Sequence, residues 1–248
     1  MKRLLSLFVS LLVLCAVPGY AAPPVMPRVF DKPTVQKLID NIEERGNAPV
    51  LKVGYFTVYR RHDLPMEEGL ELLQSAIEKE TEGSRRWFLL QQVYAYGAIR
   101  IDADTQTDGL KLYEKMFGQG VLAKKAAAED VLMRSVYEYV NAFPTVFLAN
   151  NGKGTATMRT VLAKALKLYL NALKTNQSIA SVPNWTGAMA ALSSKDGEEK
   201  PFLSQINEAT KAPAAGNRKR VLETAAAVYA PFNKKRANEY LRQAKALK

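Results

Sequence analysis

Met66-Glu67-Glu68-Gly69-Leu70-Glu71-Leu72-Leu73-Gln74-Ser75-Ala76-Ile77 is the stretch that decides the fold. Met66, Leu70, Leu73 and Ile77 recur at spacings of four, three and four, which in a helix sets them on one face. A strand would scatter the same residues over both faces. Asp63 can cap this helix, which the pattern carries to about residue 82.

Working outward, the same spacing recurs along the chain. Residues 34–45 place Val35, Leu38, Ile39 and Ile42 on one face and stop at Gly46; residues 84–101 start at a Ser84 cap and repeat the pattern with Trp87, Leu90 and Tyr94. Further helices are expected over 107–117, 125–143, 155–174, 201–210, 217–229 and 233–247, with none assigned between 175 and 200. Short connections make antiparallel neighbours the default. The fold class is therefore all-α: antiparallel helical hairpins, able to stack as an irregular α-solenoid. Residues 50–61 are the exception, because Val53, Tyr55, Thr57 and Tyr59 alternate as in a strand. Helix is favoured there, since a lone strand would lack partners, but both readings stay open.

Glu68-Gly69-Leu70-Glu71-Leu72-Leu73 and Asp108-Gly109-Leu110-Lys111-Leu112-Tyr113 align without gaps 40 residues apart, a period that fits stacked helix pairs. Here the chain resembles tetratricopeptide-type repeats (TPR-like). Trp87, Leu90 and Tyr94 match that family's first-helix positions, while Gly69, Leu73 and Ala76, like Ala237, Leu241 and Ala244, match the small-large-small positions of its second helix. The interval from Trp87 to Gly109 is longer than the family pattern, and the prolines between repeats are missing. The resemblance implies a protein-binding scaffold. An open concave groove lined by successive helices would favour that reading, and a deep cleft with two close carboxylates would favour a hydrolase.

The N-terminus carries an address. Lys2 and Arg3 precede an apolar core over 4–17, and Gly19-Tyr20-Ala21 supplies small residues at both cleavage-critical positions, so 1–21 reads as a cleavable signal peptide. The core is too short for a membrane anchor and is followed by Pro18-Gly19. Val13-Leu14 before Cys15 lacks the small residues of a lipidation signal. The mature protein is expected to begin at Ala22, outside the cytoplasm and without a transmembrane span. With the single cysteine of the chain, Cys15, leaving in the leader, disulfides, thiolate nucleophiles and cysteine metal sites are excluded from the mature protein. The expected organisation is a proline-rich linker over 22–33, a helical repeat-like domain over 34–192, a hinge or loop over 193–201, and a basic helical segment over 202–248 packing on the same domain.

Charge is uneven. From 22 to 138, 16 Lys and Arg stand against 18 Asp and Glu; from 139 to 248, 17 stand against 6, a balance of +11. The positive field belongs to the C-terminal half. Arg218, Lys219, Arg220, Lys234, Lys235, Arg236, Arg242 and Lys245 are the candidate polyanion-binding residues. In a helix over 233–247, Lys235, Arg242 and Lys245 fall on one side and Ala237, Leu241 and Ala244 on another. Such a face either keeps the protein soluble or docks on an anionic surface. Export and the lack of any nucleic-acid module argue against DNA or RNA.

No catalytic, cofactor-binding or metal-binding residue is assigned. The run from Thr145 to Thr155 has the strand, glycine loop and helix layout of a P-loop, but Phe147 stands at its first glycine and Gly154 at the hydroxyl position. Asp102, Asp104 and Asp108 imitate a calcium loop whose bidentate Glu is replaced by Tyr113, so a polar loop with a helix cap explains them better. His62 is the only histidine and lacks the partners that a triad or a zinc site needs. Glu43, Glu44, Glu67, Glu68, Glu71, Glu78, Glu80 and Glu82 suit exposed faces, and no pair among them stands out as catalytic. Trp87, Tyr94, Tyr113, Tyr137 and Tyr139 could line a sugar or peptide groove, although aromatics at helical spacing are more often core. Asn176-Gln177-Ser178 and Asn184-Trp185-Thr186 have the form of glycan acceptors. The expected function is an exported helical scaffold or binding protein for protein-protein interaction, with an unknown protein partner and no cofactor. The alternatives are an envelope-associated polyanion binder and a carboxylate-dependent hydrolase.

Overall fold

The computed structural model describes residues 36, 39–40, 66–99, 103–118, 129–149, 155–175, 179, 181–193, 198–211 and 217–247. These residues are all-helical, with nine helices and no strand among them: α1 (Met66–Lys79), α2 (Arg85–Ala98), α3 (Ala103–Gly118), α4 (Glu129–Ala149), α5 (Thr155–Thr175), α6 (Trp185–Leu192), α7 (Lys200–Lys211), α8 (Arg218–Tyr229) and α9 (Lys234–Ala246). The leader, the linker over 22–33, residues 50–61, His62, Asp63, Asp102, the 150–154 loop and Asn176 lie outside the described residues.

Local chemistry sets the first turn between helices. Gly83 adopts a positive φ of 80°, a conformation that L side chains rarely take, and the chain then re-enters a helix at Ser84. The Ser84 side chain accepts a hydrogen bond from Trp87 N at 3.1 Å, satisfying one of the orphan donors of α2. α2 is buried on nearly every side, from Trp87 to Ala98, and so it forms the centre of the N-terminal half. Its polar residues are handled individually: Gln92 Nε2 donates to Glu138 Oε2 of α4 at 3.0 Å, and Arg86 bridges the Glu80 carboxylate and the Ile39 carbonyl.

One continuous core runs from Ile39 to Ala244. At its middle, Tyr113, Phe117, Tyr139, Phe143 and Phe147 form a chain of ring contacts linking α3 to α4. The Tyr139 hydroxyl donates to the Met158 carbonyl of α5 at 2.9 Å. Tyr137 and Tyr169 both donate to the Ser181 carbonyl, tying the segment before α6 to α4 and α5. Every substantial contact joins helices no more than three places apart in chain order.

Several expectations need correction. α3 begins at Ala103, ahead of the expected start at 107, so Asp104 belongs to a helical turn and not to a polar loop, while Asp108 lies in the helix as expected. Acidic residues near a helix N-terminus are favoured by its positive end, and a helix removes the loop that a calcium site would need. α4 continues through Pro144 to Ala149, so 145–149 is helix and not the strand of a P-loop layout. The proline costs about 3 kcal/mol. Burying Val146 and Phe147, with Phe147 stacked on Phe143 at 5.2 Å, offsets it at about 1.5–3 kcal/mol per side chain. α6 lies where no helix is expected. Its eight residues, Trp-Thr-Gly-Ala-Met-Ala-Ala-Leu, are too short and too uniformly apolar to show a polar face, and their packing against α4 and α8 sustains them. In α9 the buried residues are Ala237, Tyr240 and Ala244, while Leu241 is 40% exposed. Tyr240 takes the inward position because its ring lies 5.7 Å from that of Tyr229.

Candidate functional site

Three helix faces converge on an open groove of about 590 Å³. α1 contributes Gln74, Ile77 and Glu78, the connection to α2 contributes Glu80 and Glu82, α2 contributes Trp87, Gln91 and Tyr94, and α3 contributes Asp108, Lys111, Leu112 and Lys115. The spacings of four and three along α2, and of three, one and three along α3, explain why each helix presents one row. Trp87 and Tyr94 are largely buried and form the floor with Leu112 and Ile77. This volume lies within the range of sites that take small molecules or single peptide side chains.

The rim is charged and mostly paired. Lys115 binds Glu82 at 3.0 Å and also sits 5.0 Å from the centre of the Trp87 ring. Lys111 binds Asp108 at 3.1 Å, Arg86 binds Glu80 at 2.6 Å, and Gln74 donates to Glu78 at 3.3 Å. Four carboxylates therefore face two lysines along the lining. Burial, followed by the nearby Asp108 charge, pushes the Tyr94 phenol above its ordinary pKa, so it remains a neutral hydroxyl at physiological pH.

Among the described residues, one atom of this site has no hydrogen-bond partner. Gln91 is 2% exposed and lines the groove, and its Oε1 accepts no hydrogen bond among the described residues. A buried acceptor left unmatched costs about 1–3 kcal/mol. Among the glutamates considered from sequence, Glu78, Glu80 and Glu82 come to this rim, joined by Asp108. Each is engaged by a cation or an amide. Among the described residues, no group of three or more His, Cys, Asp and Glu could hold a metal ion.

Sequence reasoning placed Trp87 and Tyr94 as possible groove aromatics, and both line it. Tyr113 and Tyr139 are fully enclosed core residues, and Tyr137 is half-buried against the segment before α6. Gln91 was missed: a glutamine inside an apolar helical row carries no signal until the neighbouring helices are in place.

The basic residues divide by environment. Arg218 donates to the Thr210 carbonyl of α7 at 2.7 Å, tying α8 to α7, and Arg220 binds Glu223 at 2.5 Å within α8. Arg236 reaches Glu239 at 3.8 Å and lies 5.3 Å from the Tyr240 ring. Lys219, Lys234, Lys235, Arg242 and Lys245 are exposed. Lys234 and Lys245 are eleven residues apart on α9, about 16 Å at the helical rise. That exceeds the Debye length of roughly 8 Å at physiological salt, so the two ends of α9 act as separate patches. No described helix is long and apolar enough to cross a membrane.

A scan against protein-family models finds no match, and searches of curated proteins and of solved structures find none either.

Proposed function

We propose that this chain is an exported helical binding protein, a scaffold for protein-protein interaction whose partner docks in the groove between α1, α2 and α3. The observation that carries the reading is an open groove of about 590 Å³ between three helices, floored by Trp87 and Tyr94. The TPR-like resemblance adds to it, because Gly69, Leu73, Trp87, Leu90 and Tyr94 all occupy buried positions and two of them, Trp87 and Tyr94, line that groove. Export rests on the leader at 1–21. Site-specific photocrosslinking tests the reading. A benzophenone side chain at Leu112, in the groove, should capture a discrete protein partner in the native compartment, while the same group at exposed Lys167 on α5 should not. Identical adducts from both positions, or none from Leu112, would remove the groove from consideration.

A second reading, docking on an anionic surface, is favoured by a separate observation. Lys219, Lys234, Lys235, Arg242 and Lys245 are exposed and make no ion pair among the described residues, and Leu241 and Leu247 are exposed on the same C-terminal helix region. Cations in the first turn of α9 oppose the helix dipole, a cost that an anionic partner would reverse. On this reading the eight basic residues do not act as one site, since Arg218 and Arg220 are held internally.

A further inference from the structure

We infer that α9 docks the protein on an anionic lipid bilayer, laying its open face on the headgroups with Leu241 entering the interface between Lys234 and Lys245. This rests on the reading of the basic C-terminal region as an anionic docking surface and names its occupant. Among the described elements, α9 makes its substantial contacts with α8 alone, and its buried residues are Ala237, Tyr240 and Ala244. At about 3.6 residues per turn, the open side carries Lys234, Asn238, Leu241 and Lys245 in one row, with Lys235 and Arg242 in the row beside it. Each of these residues is exposed. The acidic residue of α9, Glu239, lies outside both rows and faces Arg236 at 3.8 Å, which leaves Lys234, Lys235, Arg242 and Lys245 without an acidic partner among the described residues.

A bilayer meets these features together. Lys234 and Lys245, about 16 Å apart along the helix, are too distant to share one small anion. Headgroups present charge continuously, so each cation contributes by itself, roughly fivefold in affinity. Leu241 is 40% exposed within this charged face, and Leu247, 36% exposed, follows at the end of the helix. An anionic polymer offers these leucines nothing apolar, whereas the boundary between headgroups and acyl chains does. A stable protein interface has an apolar centre depleted of lysine, the reverse of a face on which four cations surround one leucine. A second copy of the chain would set the same cations against these, and like charges in an interface repel. Ala237, Tyr240 and Ala244 stay buried throughout, so docking is peripheral and leaves the packing of α9 on α8 intact.

The test uses the full mature chain in flotation with vesicles of phosphatidylcholine alone and of phosphatidylcholine mixed equally with phosphatidylglycerol, beside a heparin column. The parent should float with the mixed vesicles only, and less so as salt rises. Replacing Lys234, Lys235, Arg242 and Lys245 together with Gln should weaken vesicle binding by about tenfold or more without changing the circular dichroism spectrum. Leu241→Gln keeps every charge; it should weaken vesicle binding several-fold and leave the salt needed for elution from heparin unchanged. Equal flotation with both vesicles, a charge variant that binds as the parent does, or a Leu241→Gln variant with undiminished flotation would overturn the inference. Retention of the parent on heparin without flotation would leave the anionic docking surface standing and remove its lipid occupant. If neither vesicles nor heparin held the parent at low salt, both would fall.

Discussion

Gly109 of α3 lies so close to Ala98 of α2 that a Cβ atom added to it would come within 2.9 Å of the Ala98 Cβ and 3.0 Å of the Ile99 backbone nitrogen. The close approach lets α3 bring Asp108, Lys111 and Leu112 to the groove wall.

Gly109→Ala is therefore expected to destabilise the protein. The helix-propensity gain is about 1 kcal/mol, whereas overpacking against a backbone atom costs about 1–3 kcal/mol, and the backbone cannot move aside as a side-chain tip can. Urea unfolding should show a net loss of up to about 2 kcal/mol, and a gain in stability would contradict the packing described.

Trp185 is fully enclosed, with its ring 6.0 Å from that of Tyr169, and it opens the short helix α6. Trp185→Ala should cost about 3–5 kcal/mol. Asn184→Ala, which removes the side-chain cap on Gly187 N at 3.0 Å, should cost only about 1 kcal/mol. Thermal unfolding of the two variants checks the ranking; equal losses would mean that α6 is not packed as described.

Burial raises the hydroxyl pKa of Tyr139, and burial together with the neighbouring Tyr137 raises that of Tyr169. Both remain protonated in the folded chain after the unfolded chain has begun to lose protons near pH 10. The unfolded state then binds fewer protons, so stability falls as pH rises. The contribution is complete below pH 10 and declines above it by up to about 1.4 kcal/mol per pH unit for each tyrosine. Melting temperature measured from pH 8 to 12 should be flat at first and then drop, with a shallower drop in Tyr139→Phe. A drop that begins well below pH 10 would point to other groups.

The cationic surface yields an independent expectation. Replacing Lys234, Lys235, Arg236, Arg242 and Lys245 with Gln should leave the helices intact, because all five are exposed. If the second reading holds, retention on heparin or anionic vesicles at moderate salt should weaken sharply. Unchanged retention, or none by the parent at low salt, would leave these charges as a solubilising surface.

What was legible in the sequence follows from the range of each signal. The amphipathic rows of α1, α5, α8 and α9 and the Ser84 cap are local, and they place those helices within a few residues of their observed ends. The extension of α4 past Pro144 and the existence of α6 depend on side chains brought from distant segments, which no local pattern contains. In α9, residues 240 and 241 are both compatible with the apolar row, and only the Tyr229 ring decides in favour of Tyr240. At the groove, Trp87 and Tyr94 announced themselves as aromatics on one face. Gln91 and the meeting of Glu78, Glu82 and Asp108 emerge only when three helices are assembled.

Docking of a partner in the groove is tested most directly through the chain's two tryptophans. Trp87 lines the groove, while Trp185 is sealed in the core and serves as an internal control. Two-dimensional NMR resolves both indole N–H signals, and a randomised hexapeptide pool can be titrated into the mature protein. Binding in the groove predicts a progressive, saturable shift of the Trp87 indole signal with the Trp185 signal unmoved. A Trp87 signal that stays in place through saturating peptide, or binding that shifts only backbone signals of α8 and α9, would contradict the account.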